Sequence, residues 1–329
     1  FDGQKDHATV EGPKMYKRNG YYYLSAPAGG VATGWQLILR SKNIYGPYEE
    51  KVVLRQGDTP VNGPHQGAWV DTPSGEWWFL HFQDKEAYGR IVHLQPMTWK
   101  DNWPVMGING QPVMQHKKPA TGKAYAPVTP AESDEFNAPR TGLQWQWAAN
   151  RETVYGFPSS AGYFRLNTFR ADSSGDLYDF PNFFSQKFPA EEFSATTRIE
   201  FKLNGKLNTE KLGFIIKGYS YAFAGLTHKN GVHYITYNEL AGAGRGEKEK
   251  IIREIRQNTV YFRVEVRKGA LCDFYYSEDG KNFIKMNETP FQAQKGHWIG
   301  ARIGYIAARR EDTNDSGYMN IDWFRTDTL

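Results

Sequence analysis

The chain holds a single cysteine, Cys272, so no intramolecular disulfide can form and the redox compartment stays open. Cys272 lies in the strand-like run Leu271-Cys272-Asp273-Phe274-Tyr275-Tyr276, where a buried structural thiol is expected, and no histidine partner for a nucleophile is identifiable. No Cys/His cluster offers a zinc site, no glycine-rich loop leads into a helix that would bind phosphate, and no Ser/His/Asp set carries a family signature. No apolar run approaches the roughly 20 residues of a membrane-spanning helix, and no signal peptide is visible. The first residue is Phe1 rather than Met, as expected of a processed chain or a piece of a longer protein. Charge of one sign is also lacking: 40 basic residues stand against 36 acidic ones, for a net +4. The signs alternate, as in Gly246-Glu247-Lys248-Glu249-Lys250, which argues against the clustered basic face of a nucleic-acid binder. No helical period persists beyond two turns.

What is abundant points to β structure. Aromatics reach 15% with ten Trp, and 33 Gly and 17 Pro punctuate the chain. Such a composition predicts an all-β, turn-rich protein, suited either to a flat polar ligand such as a sugar or to aromatic sandwich cores. The length is enough for two domains. Two similar units open the chain, over 11–50 and 63–105, each reading as four short strands. The period of roughly 40 residues is that of propeller blades. In the first unit Asn19-Gly20 marks a hairpin and Trp35–Ser41 a strand; in the second, strands are expected over 68–72, 76–82 and 90–94, with a turn at 73–75. Two blades cannot close a ring, so the remaining blades are expected ahead of Phe1, and Trp69, Phe79 and Phe82 are expected on apolar blade faces. Residues 1–107 are thus read as blades and 108–133, with Pro112, Pro119, Pro127 and Pro130, as a linker. Residues 134–329 are read as a β-sandwich. Its strands are expected over 193–203, with Ala195, Thr197, Ile199, Phe201 and Leu203 on one face, and over 212–216, 233–237, 260–266, 298–306 and 318–324.

The stretch that organises the chain is Val10-Glu11-Gly12-Pro13, followed at once by the hairpin. Val10 favours an extended backbone and Gly12-Pro13 stops the strand, which leaves the Glu11 carboxylate at a strand end. A catalytic acid fits that place; so does a solvated or salt-bridged glutamate. Residues 11–97 resemble glycoside hydrolase family 43, the five-bladed propeller arabinofuranosidases and β-xylosidases. The matching residues are Glu11-Gly12-Pro13, Asn19-Gly20-Tyr21-Tyr22-Tyr23-Leu24, Gly29-Gly30, Arg40-Ser41, Gly46-Pro47-Tyr48, Gly63-Pro64-His65-Gln66-Gly67 and Gly89-Arg90. The sandwich region is similar to the concanavalin-like domain behind many propellers of that family.

The resemblance implies that Glu11 is the general acid of an inverting, exo-acting glycosidase that releases terminal L-arabinofuranose or D-xylose from hemicellulose side chains. No cofactor is required. The general base and an acid-tuning carboxylate belong to the blades expected ahead of the chain; Asp2 and Asp6 lie too near Glu11 in sequence to serve. The resemblance further implies that His65 points into the central channel and that Arg90 reaches sugar hydroxyls. Left to themselves, these would be a packed histidine and a surface arginine opposite Glu86. In the loop Gly29-Gly30-Val31-Ala32-Thr33-Gly34-Trp35, Val31 replaces the usual Thr, and Thr33 or Trp35 is expected to take over substrate contact. Phe184, in Pro181-Asn182-Phe183-Phe184-Ser185, is the candidate for an aromatic that closes the pocket, with core packing as its alternative. Asp134 and Asp322, near the two ends of the sandwich, would suit a structural Ca²⁺ if their strands meet; solvated acids are the alternative. Two rival functions remain: a non-catalytic carbohydrate-binding protein, and a structural fragment that folds only with its absent N-terminal propeller segment.

Overall fold

A computed structural model describes residues 5–170, 176–242 and 246–329. The regular structure of the described residues is almost wholly strand, with one 3-10 turn at Glu86–Tyr88 as their helical element. Two compact units result. One runs to Lys85 and resumes over Arg90–Val128; the other comprises Glu86–Gly89 and Thr129–Leu329.

The first unit holds two four-stranded antiparallel meanders. Strands β1 (Lys14–Arg18), β2 (Tyr21–Ala28), β3 (Trp35–Ser41) and β4 (Glu49–Leu54) lie in sequence order, as do β5 (His65–Asp71), β6 (Trp77–Asp84), β7 (Arg90–Lys100) and β8 (Trp103–Met106). In the β1–β2 hairpin Arg18 pairs with Tyr21, so Asn19 and Gly20 form a two-residue turn at φ 48° and 77°. Those angles are what the Asn-Gly pair supplies. Tyr23, Ile38, Val53 and Leu54 of the first meander share a core with Trp69, Phe79, Met97 and Met106 of the second. Arg18 and Arg40 lie 4.0 Å over the rings of Trp99 and Trp103 and roof that core. Of the three residues expected on apolar blade faces, two are covered within this unit. Trp69 and Phe79 are 5% and 0% exposed because the neighbouring meander covers them, and Phe82 is half-buried.

The second unit is a sandwich of two mainly antiparallel sheets. One orders Gly156–Ser159, Tyr163–Asn167, Tyr318–Asp327, Phe193–Lys202, Thr259–Arg267, Leu271–Ser277 and Ile284–Lys285. The other orders Lys248–Ile255, Val232–Leu240, Tyr221–Lys229, Lys211–Lys217, Arg302–Arg309, Phe184–Lys187 and Gln146–Trp147. Their facing sides form the main core, which takes in Ala195, Ile199 and Phe201 with Phe214, Tyr305 and Phe324. The second sheet buries its outer face as well, setting Ile215, Phe223 and Ile306 against Leu177, Phe180 and Phe183. The strand expected over 298–306 begins later, at Arg302, because Trp298 has φ 60° and is exposed. Ala87 joins the sandwich core, and the Tyr88 hydroxyl accepts from the Ala270 amide at 2.8 Å.

Candidate active site

Glu11 lies outside the strands, two residues before Pro13 and the start of β1. Its amide donates to the Pro27 carbonyl at 3.3 Å, and the Gly29 amide donates to Ala8 at 2.8 Å. The lead-in is thereby tied to the end of β2. The Glu11 side chain is 50% exposed. Its Oε1 accepts from Gln66 Nε2 at 2.9 Å and meets His65 Nε2 at 3.2 Å.

Two consecutive residues reach one oxygen because β5 is bulged. His65 pairs with Phe82 and Ala68 with Leu80, so Gln66 and Gly67 stand against a single residue of β6, with Gln66 at φ 46°. A bulge re-aims side chains that a regular strand would send to opposite faces. His65 is fully buried, and its Nδ1 has no partner among the described residues. The tautomer with hydrogen on Nε2, donating to Glu11, is the one that leaves a bare acceptor at Nδ1 and not a stranded donor. Burial lowers the His65 pKa, the Glu11 carboxylate pulls it back up, and the charge of Arg90 pushes it down again. His65 is therefore neutral near pH 7.

Arg90, the first residue of β7, lays its guanidinium 4.5 Å over the Phe82 ring, and the His65 ring meets the same phenyl edge-on at 5.9 Å. The Arg90 Nε is buried with no partner among the described residues. Glu11, His65 and Arg90 thus gather around Gln66 and Phe82, the latter expected from the sequence only on an apolar blade face. Gln66 was legible only as part of the 63–67 motif. Together the three offer a carboxyl group, a neutral ring and a fork of donors, a set able to protonate a leaving oxygen while holding hydroxyls.

The other candidates fall elsewhere. Trp35 donates from Nε1 to His7 Nδ1 at 3.2 Å, and Arg55 covers its indole at 4.6 Å. Thr33 is exposed and donates to the Gly29 carbonyl at 2.9 Å. Their loop does border the site: a Cβ on Gly34 would stand 3.0 Å from His65 Nδ1. Asp6 is exposed and Asp2 lies outside the described residues. Arg90 does not oppose Glu86, which pairs with Lys295. Phe184 is core: at 1% exposure it stacks between Phe164 at 4.4 Å and Trp145 at 4.6 Å, so it has no face left for a sugar. The terminal strands do meet, through the Asp134–Phe324 bridge and the Glu135–Arg325 ion pair. Both acids are already engaged within the sandwich. Asp134 accepts from the Phe136 amide and Trp145 Nε1, and Asp322 pairs with Arg198 at 2.8 Å. Among the described residues no group of three or more His, Cys, Asp or Glu could hold a metal. Cys272 is buried as expected, and burial pushes its thiol pKa well up.

A carboxyl group, histidine and arginine on paired four-stranded meanders, joined to a concanavalin-like sandwich, define a class: the chain belongs to glycoside hydrolase family 43. Residues 2–104 match the profile described as glycosyl hydrolases family 43, and residues 133–327 match that of the beta xylosidase C-terminal concanavalin A-like domain. A provisionally named β-xylosidase of Xylanibacter ruminicola is 38% identical over 90% of this chain and 55% of its own length. A β-xylosidase of Formosa agariphila is 30% identical over 97% and 59%, and a non-reducing-end α-L-arabinofuranosidase of Bacteroides ovatus 26% identical over 96% and 62%. The chain therefore spans a little over half the length of the first of these relatives. Among solved structures, a bifunctional GH43-CE protein of Bacteroides eggerthii aligns at TM-score 0.81 with 28% identity, over 97% of this chain and 41% of that one. The GH43 protein BlXynB of Bacillus licheniformis, 23% identical, shares the fold at TM-score 0.84 over 99% and 66%.

Proposed function

We propose that this chain contributes the acid half of an exo-acting, inverting glycosidase that releases terminal L-arabinofuranose or D-xylose from hemicellulose-derived glycans. Glu11 donates its proton to the leaving oxygen. The reading rests on one observation above the rest: the Glu11 carboxyl group, at the mouth of the first meander, lies 3.2 Å from Nε2 of the buried His65 and 2.9 Å from Gln66 Nε2. Arg90 and His65 hold the sugar, and Thr33 and Trp35 belong to the loop beside it. Inversion needs a second carboxylate that activates water from the far face, roughly 6.5–9.5 Å from the first. The partners of Glu11 among the described residues are a histidine and an amide. The reading therefore takes the base from propeller blades outside this chain. The names of the Formosa and Bacteroides relatives support the choice of pentosides.

The test is Glu11→Gln in the protein that carries this chain, assayed on xylosides and arabinofuranosides with good and poor leaving groups. A general acid matters most where the leaving oxygen is basic. Activity on the poor leaving group should fall about 10²–10⁴-fold while the activated aryl glycoside loses far less. Equal loss on both would remove Glu11 from the acid role.

A further inference from the structure

A cavity of about 310 Å³ opens in the sandwich beside strands Lys211–Lys217 and Arg302–Arg309. Its walls include Tyr178, Phe183, His297 and Ile299, and two of its polar groups are Lys217 and Arg302. These two cations stand directly opposite each other on neighbouring strands. On the other side of Arg302 the opposite residue is Lys187, a third cation in the same cross-strand row. Like charges directly opposite in a sheet are destabilising, and no carboxylate forms an ion pair with either Lys217 or Arg302 among the described residues. Lys217 donates to the Tyr178 carbonyl, and Arg302 Nε is buried with no partner among the described residues. Both cations lie over the fully buried Phe183 ring, at 5.3 and 5.0 Å. Burial brings Lys217 down to about 8, with the Arg302 charge adding to it and Asp179 and Asp176 opposing. Asp179 is exposed at the rim and makes no ion pair with either cation.

A fold that needed only stability would set an apolar residue or an acid in this row. We propose that the cavity binds a hexuronic acid residue, its carboxylate on the Lys217–Arg302 pair and its ring against Tyr178 and Ile299. The guanidinium fork matches a carboxylate geometrically, and Lys217 adds a point charge. The volume lies at the small end of ligand pockets, which run about 300–1,000 Å³, and suits one ring better than a chain. The choice of a sugar rests on the glycosidase reading above; the choice of an anion rests on the cation pair alone.

Calorimetric titration of the 329-residue chain at pH 7 with D-glucuronate, D-glucose and inorganic phosphate tests this. Glucuronate should bind at least tenfold more tightly than either of the others. Lys217→Met and Arg302→Met should each weaken it at least tenfold, with melting temperatures equal to or above the parent's because a like-charge contact is relieved. Arg302→Lys, which keeps the charge and loses the fork, should retain part of the affinity. Glucose binding as well as glucuronate would overturn the proposal, as would undiminished binding in both Met variants. Phosphate binding as tightly would reduce the cavity to a site for an adventitious ion only. Equal loss on both leaving groups in Glu11→Gln, with glucuronate binding intact, would strike the glycosidase reading of Glu11 and leave this site standing.

Discussion

His81 is 3% exposed in the second meander, between an Nδ1 contact to the Phe82 carbonyl at 3.2 Å and an Nε2 contact to Gln95 at 3.3 Å. Its ring stacks on His93 at 5.4 Å. Burial lowers its pKa to about 4, and His65 and His93 shift in the same direction for the same leading reason. The sign follows from linkage. Between about 6.5 and 4 the unfolded chain binds the proton and the folded one does not, so stability is complete above about 6.5 and declines as pH falls. For His81 alone the loss amounts to about 3 kcal/mol by pH 4. Melting temperatures recorded from pH 7.5 to 4.5 should fall below pH 6.5, and His81→Asn should flatten that fall. None of this was legible beforehand, because His81 sits in a strand-like run with no motif around it. His65 was legible through its Gly-Pro and Gly neighbours, and Glu11 through the Gly-Pro that follows it. The contact between Glu11 and His65 was not, since it joins residues that a bulge, rather than any sequence spacing, brings together.

The bulge in β5 depends on Gly67. A Cβ there would stand 2.0 Å from Cζ of Phe79, which is packed in the core, and 2.5 Å from the Leu80 carbonyl of the neighbouring strand. Gly67→Ala should therefore cost about 1–3 kcal/mol by forcing the ladder apart, which a urea midpoint would register. Gly205→Ala, where an added Cβ meets nothing within 4 Å, is the matched control and should move stability by less than about 0.5 kcal/mol. Strands with one buried face announced themselves. Phe193–Lys202 buries Ala195, Thr197, Ile199 and Phe201 in alternation. Tyr221–Lys229 did not, because both its faces are covered and the period of two disappears. Lys248–Ile255 was hidden for the opposite reason: an edge strand, largely exposed, whose Lys and Glu residues read as a solvated charge run.

Each unit keeps its own apolar core, eight buried side chains in the meanders and a far larger set between the sandwich sheets. Residues 114–133 carry no strand and are exposed almost throughout. Exposed backbone without a ladder is where proteases cut first. Brief trypsin treatment should therefore cleave after Lys117 or Lys123 before any bond within the strands, and intact-mass measurement of the fragments would show it; Lys118 is shielded by the proline that follows it. A first cut inside a blade or sandwich strand would contradict the two-core description. The proline-rich composition made this stretch recognisable as a connector. Nothing in composition marked residues 86–89, which read as part of a blade repeat and belong by contact to the sandwich.

Those four residues bear on how such a protein could be rearranged in evolution or by design. Ala87 is 4% exposed in the sandwich core, and its carbonyl accepts from the Ala301 amide at 2.7 Å. A gene junction placed near residue 128 would transplant a sandwich with that side chain missing from its interior and the Ala301 and Ala270 donors unanswered. Neighbouring coding blocks are not interchangeable parts here. A working chimaera has to carry two separate stretches of one parent, so the pair of units is inherited together or repaired afterwards.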